Sequence, residues 1–188
     1  MNDILLLAQA WNFSAQRHAN QKRKGEAQEP YVNHLAEVAE LVAMATKGQD
    51  ANLVAAAVLH DTVEDTSTLP VELVSVFNVD IADLVGEVTD DKKLEKAERK
   101  KLQVEHAASK SDRAKILKLA DKTSNLRSLV KSPPIDWNLQ RRQKYLDWAL
   151  EVAKGLRGVN TWLEAQFDEA AQQLAVSCRG EPSTDRRP

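Results

Sequence analysis

Apolar residues recur at every third or fourth position through nearly the whole chain. Nowhere do they alternate with polar residues for the length of a strand. That spacing is the period of a helix and not of a sheet. With only 6 Gly and 6 Pro in 188 residues, few points force a helix to stop. The expected fold class is therefore all-α, one compact helical bundle of roughly eight to ten helices. A chain of this size can bury roughly 70% of its unfolded surface, so a core alone can hold it together.

The same pattern places the helices. Asn2 or Asp3 can cap a first one to about Asn20. "QKRKGEAQE" (21–29) is a polar loop, and Pro30 can open a second helix with Leu35, Val38, Leu41 and Val42 at helical spacing. "TKGQD" ends it, and an Ala-rich helix runs from about Asn52. Short helices are predicted near Val71–Phe77 and Ile81–Val88, the second capped by Asp80. Others are predicted near Glu95–Ala108, from Ser111 or Asp112 to Leu129, from a cap at Asp136 to Gly155, and from Asn160 to Val176. No linker divides the chain, so 1–176 reads as one domain and 177–188 as a disordered tail.

Composition narrows the function classes. The single cysteine, Cys178, excludes an internal disulfide, which fits a reducing, cytoplasmic setting. No run approaches the roughly 20 apolar residues of a membrane span, and "ILLLAQAW" lacks the basic flank of a signal peptide. A formal net charge of −2 argues against a nucleic-acid partner. Local basic clusters, "QKRKG", "ERKK" and "QRRQK", leave room for a small anionic ligand. Nothing in the sequence sets the oligomeric state.

The stretch that breaks the helical pattern is "VLHDTVEDT" (58–66). It follows the buried-looking run "NLVAAAVL" and carries His60, Asp61, Glu64 and Asp65. Isolated charges at the edge of a core cost roughly several kcal/mol each unless compensated, and a bound cation is the simplest compensation. Glu64 lies four residues after His60 and Asp65 four after Asp61, so each acid shares a face with its partner while the helix lasts. His34, on an amphipathic helix, reads either as a half-buried helix histidine or as a third ligand. Asp121, among Ile116, Leu117, Leu119 and Ala120, reads either as a ligand or as a salt-bridge partner of Lys118 or Lys122. Asn125 is one turn later on the same face. His18 reads as structural and His106 as surface.

The set His34, His60-Asp61 and Asp121 matches the metal-ligand pattern of the HD-domain phosphohydrolases. "RKGEAQEPYVNH", "AAAVLHDTVEDT" and "KLADKTSNLR" resemble the three signature blocks of RelA/SpoT-type alarmone hydrolase domains. "VTDDKKLEKAERKKLQVEHA" and "YLDWALEVAKGLRG" are similar to the small stand-alone members, the metazoan SpoT homologues. The resemblance runs from about Ala8 to Glu164. It implies hydrolysis of the 3′-diphosphate of ppGpp or pppGpp to GDP or GTP and pyrophosphate. It implies one Mn²⁺ ion on His34, His60, Asp61 and Asp121; Fe²⁺ or Zn²⁺ suits the same donors. It assigns Glu64 and Asp65 to the attacking water. Arg23, Lys24, Tyr31, Asn125, Arg141 and Tyr145 match substrate-binding positions. No synthetase activity is expected. The third block departs from the family in reading "KTSN", where an aromatic residue or histidine often precedes the Asn. Two other readings are an HD-domain enzyme acting on another phosphorylated nucleotide, such as NADPH, and a catalytically silent nucleotide-binding module.

Overall fold

The computed structural model describes residues 2–180. Ten α-helical segments follow in order: α1 (Asp3–Arg17), α2 (Val32–Thr46), α3 (Ala51–Leu59), α4 (Thr62–Asp65, a single turn), α5 (Pro70–Val76), α6 (Val79–Val88), α7 (Lys96–His106), α8 (Asp112–Lys131), α9 (Leu139–Leu156) and α10 (Thr161–Cys178). The other regular pieces among the described residues are a 3₁₀ turn at Ala107–Ser109 and one antiparallel bridge between Lys22 and Pro30. The all-α expectation holds. None of the described helices is long and apolar enough to cross a membrane.

Helix α3 is the axis of the bundle. Leu53 to Leu59 are all buried, so this helix has no face to show to water. It must be enclosed, and α1, α2 and α6 enclose it. Helix α8 is the second axis, packed by α2, α9 and α10. Leu35, Leu59, Leu117, Leu126 and Phe167 are fully buried between these layers. Each contributes roughly 1.5–3 kcal/mol of transfer free energy.

Of the paired options, Asn2 and Ser111 are the caps; Asn160 caps α10, and Asp50 caps α3 through the Leu53 amide. Two caps differ from expectation. Asn78, not Asp80, caps α6 through the amide of Ile81. Asp80 lies inside the helix and instead accepts hydrogen bonds from Arg113 and Asn52. Asn138, not Asp136, caps α9, and Asp136 pairs with Arg141. In both cases the cap is the residue with extended backbone just before the first turn; Asp80 lies inside the helix and Asp136 lies two residues short of that position.

Helix α1 ends at Arg17, three residues before the expected Asn20. Helix α2 starts at Val32 and not at Pro30, because Pro30 is drawn into the bridge with Lys22. Helix α10 runs through Cys178, two residues past the expected domain edge. Arg179 and Gly180 form a turn after it, and 181–188 of the expected tail lie outside the described residues.

The loop 21–30 is docked on the end of α8. The Ala27 amide donates to Ser132 Oγ at 2.9 Å, and the Glu26 amide to the Pro133 carbonyl at 3.2 Å. Gly25 permits this, since a Cβ there would run into the Ser132 carbonyl oxygen.

Candidate metal centre and active site

Helix α3 stops at Leu59, and the chain turns through His60 and Asp61 before α4 begins. Thr62 Oγ1 donates to the Leu59 carbonyl at 2.6 Å and caps the broken end. The break aims two neighbouring side chains into one cleft, which a continuous helix would set about 100° apart. His34, in the first turn of α2, and Asp121, midway along α8, meet them there. One ligand atom each of His34, His60 and Asp121 lies within 4.8 Å of the others. Asp121 Oδ1 is 3.4 Å from His34 Nε2 and 3.9 Å from His60 Nε2. Asp61 Oδ2 approaches the same two nitrogens, at 3.7 and 3.0 Å.

The imidazoles present the right atoms. His60 Nδ1 is 2.8 Å from the Ala57 carbonyl. A carbonyl only accepts, so Nδ1 carries hydrogen and the neutral ring turns the Nε2 lone pair inward. His60 Nε2 is buried and makes no aligned hydrogen bond, despite the nearness of Asp61. Two imidazole nitrogens and two carboxylates around an unpartnered nitrogen fit a borderline divalent cation.

Burial and mutual charge set the electrostatics. Burial opposes the charged form of Asp121, yet Lys122, the His34 ring and Lys118 outweigh it and hold the carboxyl well below the usual range. Asp61 is likewise lowered against its burial, chiefly by His60. Burial also opposes a charge on His60, but Asp61 and Asp121 outweigh it and raise that ring to about 9. His34 is lowered, with burial the leading cause. Without a cation, the excess proton of the cluster therefore sits on His60. Tyr31, raised by burial and by Asp61, stays a phenol and donates to Asp61 Oδ2 at 2.6 Å.

Glu64 and Asp65 flank this cluster on α4, each held from outside it. Glu64 Oε2 accepts from the Asp90 amide at 3.1 Å, and its Oε1 is 3.8 Å from both Lys92 and Arg99. Burial, with Asp90 and Asp61 adding to it, raises the Glu64 carboxyl above its ordinary value despite the Asp90 amide. Asp65 accepts from Gln21 Nε2 at 3.0 Å and pairs with Lys92. Gln21 is in turn oriented by His18 Nδ1, 2.6 Å from its carbonyl oxygen. That is the structural role of buried His18, whereas His106 is exposed.

The expected substrate residues divide. Arg23 donates to Asn125 Oδ1 at 3.0 Å and lies 5.8 Å from the Tyr31 ring. Asn125 donates to Asp121 Oδ1 at 2.5 Å, so Arg23, Tyr31 and Asn125 border the cluster. Tyr145 is half-buried, and burial and the Asp121 charge push its hydroxyl up. Lys24 is exposed and has no side-chain partner among the described residues. Arg141 is turned to Asp136 and stacks 4.6 Å from the Trp137 ring.

Further residues complete the surroundings of the site. Lys122 holds Asp121 Oδ2 at 3.2 Å and lies 4.6 Å from the Trp148 ring, with Lys100 at 4.3 Å from the same ring. So the salt-bridge reading of Asp121 is also realised, through Lys122. Ser124 Oγ lies 2.8 Å from His34 Nδ1. Of these, Lys122 was already named by the sequence as a possible partner of Asp121, whereas nothing local pointed to Lys100, Trp148 or Ser124.

The HD-domain family model matches residues 10–145. A guanosine-3′,5′-bis(diphosphate) 3′-pyrophosphohydrolase, MESH1 of Xenopus tropicalis, is 47% identical over 176 residues, covering 94% of this chain and 98% of that protein. The Homo sapiens protein of the same name is 46% identical over 171 residues, covering 91% and 96%. A solved structure described as a metazoan ortholog of SpoT that hydrolyzes ppGpp has a TM-score of 0.86 at 43% identity, covering 89% of this chain and 94% of that one. A Listeria monocytogenes structure has a TM-score of 0.66 at 28% identity, covering 80% and 97%.

Proposed function

This chain belongs to the HD-domain family, and from that premise we propose that it hydrolyses the 3′-diphosphate of ppGpp or pppGpp. The products are GDP or GTP and pyrophosphate. One observation carries the reading. Two inward-facing imidazoles and Asp121 converge beside Asp61 and the Glu64–Asp65 pair, in a chain that matches ppGpp pyrophosphohydrolases over most of its length.

In this reading His34, His60, Asp61 and Asp121 would hold one divalent ion, Mn²⁺ as the family resemblance implies, with Fe²⁺ or Zn²⁺ fitting the same donors. Bound there, the ion supplies Lewis acidity and lowers the pKa of a water molecule from about 15.7. The chain supplies the rest. Glu64, its carboxyl raised by burial, accepts the proton of the attacking water. Asp65, fixed by Gln21 and Lys92, orients that water. The water oxygen bonds to the phosphorus attached to O3′, the P–O3′ bond breaks, and O3′ takes up a proton. Arg23, Lys24 and Arg141 offset the phosphate charges. Arg23 also stacks on the purine, and Asn125, Tyr31 and Tyr145 contact ribose and base.

The test is product analysis by anion-exchange chromatography. Purified protein with Mn²⁺ is offered ppGpp, pppGpp, GTP and NADPH. The expected result is GDP or GTP plus pyrophosphate from the two alarmones. Faster turnover of NADPH to NADH and phosphate would assign the site to that nucleotide. No turnover of any of them, with metal bound, would leave a silent binding module.

A further inference from the structure

His60 and His34 both present Nε2 to the candidate centre, but their Nδ1 atoms are held in different ways. His60 uses a backbone carbonyl of the helix it follows, Ala57 O. His34 has no such partner. Its Nδ1 meets the hydroxyl of Ser124 at 2.8 Å, and that hydroxyl lies 2.6 Å from Glu37 Oε2. Glu37 Oε1 accepts from Arg127 at 3.2 Å, and Arg127 donates to Gln166 on α10 at 2.7 Å. His34 and Ser124 are buried, while the Glu37 and Arg127 side chains are about a third exposed, at 33% and 31%.

The order of these groups leaves one hydrogen arrangement. A carboxylate only accepts, so the Ser124 hydrogen points to Glu37. The hydroxyl oxygen is then left as an acceptor toward His34, and His34 Nδ1 must carry the hydrogen. That puts the lone pair on Nε2, the atom 3.4 Å from Asp121 Oδ1. Residues three apart on α2 (His34, Glu37) and three apart on α8 (Ser124, Arg127) interlock across the helix pair. The line runs from the buried ring to the surface.

We propose that Ser124 and Glu37 are positioning residues: a serine–carboxylate relay, anchored by Arg127, that fixes the His34 tautomer and so prepares its Nε2 to bind a divalent cation. The inference rests on the reading of His34 as a metal ligand. It predicts that Glu37, which does not touch the imidazole, controls its proton. Removal of an outer partner of a ligating histidine lowers metal affinity by about 10–100-fold.

Two measurements test this. In metal-free, unmutated protein, ¹H–¹⁵N correlations of the imidazoles should show His34 with hydrogen on Nδ1 and a bare Nε2. Hydrogen on Nε2 would overturn the relay outright. Second, Mn²⁺ alone is titrated and free ion is read by electron paramagnetic resonance. Ser124→Ala and Glu37→Gln should each weaken binding about 10–100-fold. Ser124→Thr, which keeps the hydroxyl, should restore wild-type affinity. Adding Glu37→Gln to Ser124→Ala should cost nothing further, since the relay is already cut. Affinities of both single variants within twofold of wild type, or fully additive losses, would overturn the proposal. Wild-type protein that takes up no Mn²⁺ would remove the metal reading, and the tautomer would still decide the relay.

Discussion

Glu64→Gln separates the chemistry of this site from its architecture. The amide keeps the shape of the side chain and an acceptor for the Asp90 amide, now 3.1 Å from Oε2. It gives up negative charge facing Lys92 and Arg99, each 3.8 Å from Oε1, with side chains 49% and 23% exposed. Pairs this open contribute roughly 0.2–1 kcal/mol each. Part of that is returned, because burial disfavours the Glu64 charge in the first place. The net stability loss should stay near 1 kcal/mol, a fall of roughly 2–4 °C in melting temperature for a chain of this length. The rate should fall far more. A general base is worth about 10²–10⁴-fold. At about 1.36 kcal/mol per tenfold, that is roughly 2.7–5.4 kcal/mol of barrier. The assay is pyrophosphate release from ppGpp at saturating Mn²⁺, with elemental analysis of the same samples. The expected result is a rate lower by two to four decades, with metal bound one to one. Wild-type turnover would remove Glu64 from the chemistry, and loss of metal would make it a ligand.

Chelation should abolish hydrolysis and Mn²⁺ should restore it, while Asp61→Asn should lose metal and rate together, since a neutral amide is a poor ligand for a hard cation; elemental analysis reads the difference. In the metal-free site His60 titrates at about 9, against 6.5 for the free side chain. The folded value is the higher one, so its stabilisation is complete below about 6.5 and is lost as pH rises through 9. Metal-free protein should therefore melt lower above pH 9 than at pH 6, and His60→Gln should flatten that slope. Mn²⁺ must displace the same proton, so uptake at pH 7 should release about one proton, read by calorimetry in buffers of different ionisation enthalpy. Gly155→Ala should destabilise by about 1–3 kcal/mol, because the added Cβ would stand 2.6 Å from Ala107 Cβ and 2.7 Å from the Ala108 amide nitrogen. Thermal melting checks it, and an unchanged melting temperature would show that the 3₁₀ turn yields.

His60, Asp61 and Asp121 were legible because they interrupt a pattern, whereas His34 sits on a regular amphipathic helix. His60 and Asp61 close an apolar run, and Asp121 stands alone on an apolar stretch. An ionisable group in such a place needs a partner, and that need is visible without a structure. Positions that fit the pattern gave no such signal. Ser124 and Glu37 are ordinary helix residues, 87 positions apart, and nothing local joins them. Gln21 sits in a polar loop, and its bond to Asp65 spans 44 positions. Arg141 pairs with Asp136, five residues earlier, a contact that no feature of the sequence singled out.

Periodicity, caps and breaks are local, because a 3.6-residue repeat and a capping bond involve only neighbours along the chain. The sequence by itself therefore determined that this protein is helical, where most helices begin and end, and that His60, Asp61 and Asp121 each need a partner; their grouping with His34 came from the family resemblance. Only the packing of α2 and α8 against α3 decided which proton each imidazole carries, which lysine faces Asp121, and which acid each loop restrains. Those are contacts between side chains far apart in the chain. Their geometry is set by the close-packed core that holds the helices in register, and no local repeat encodes it.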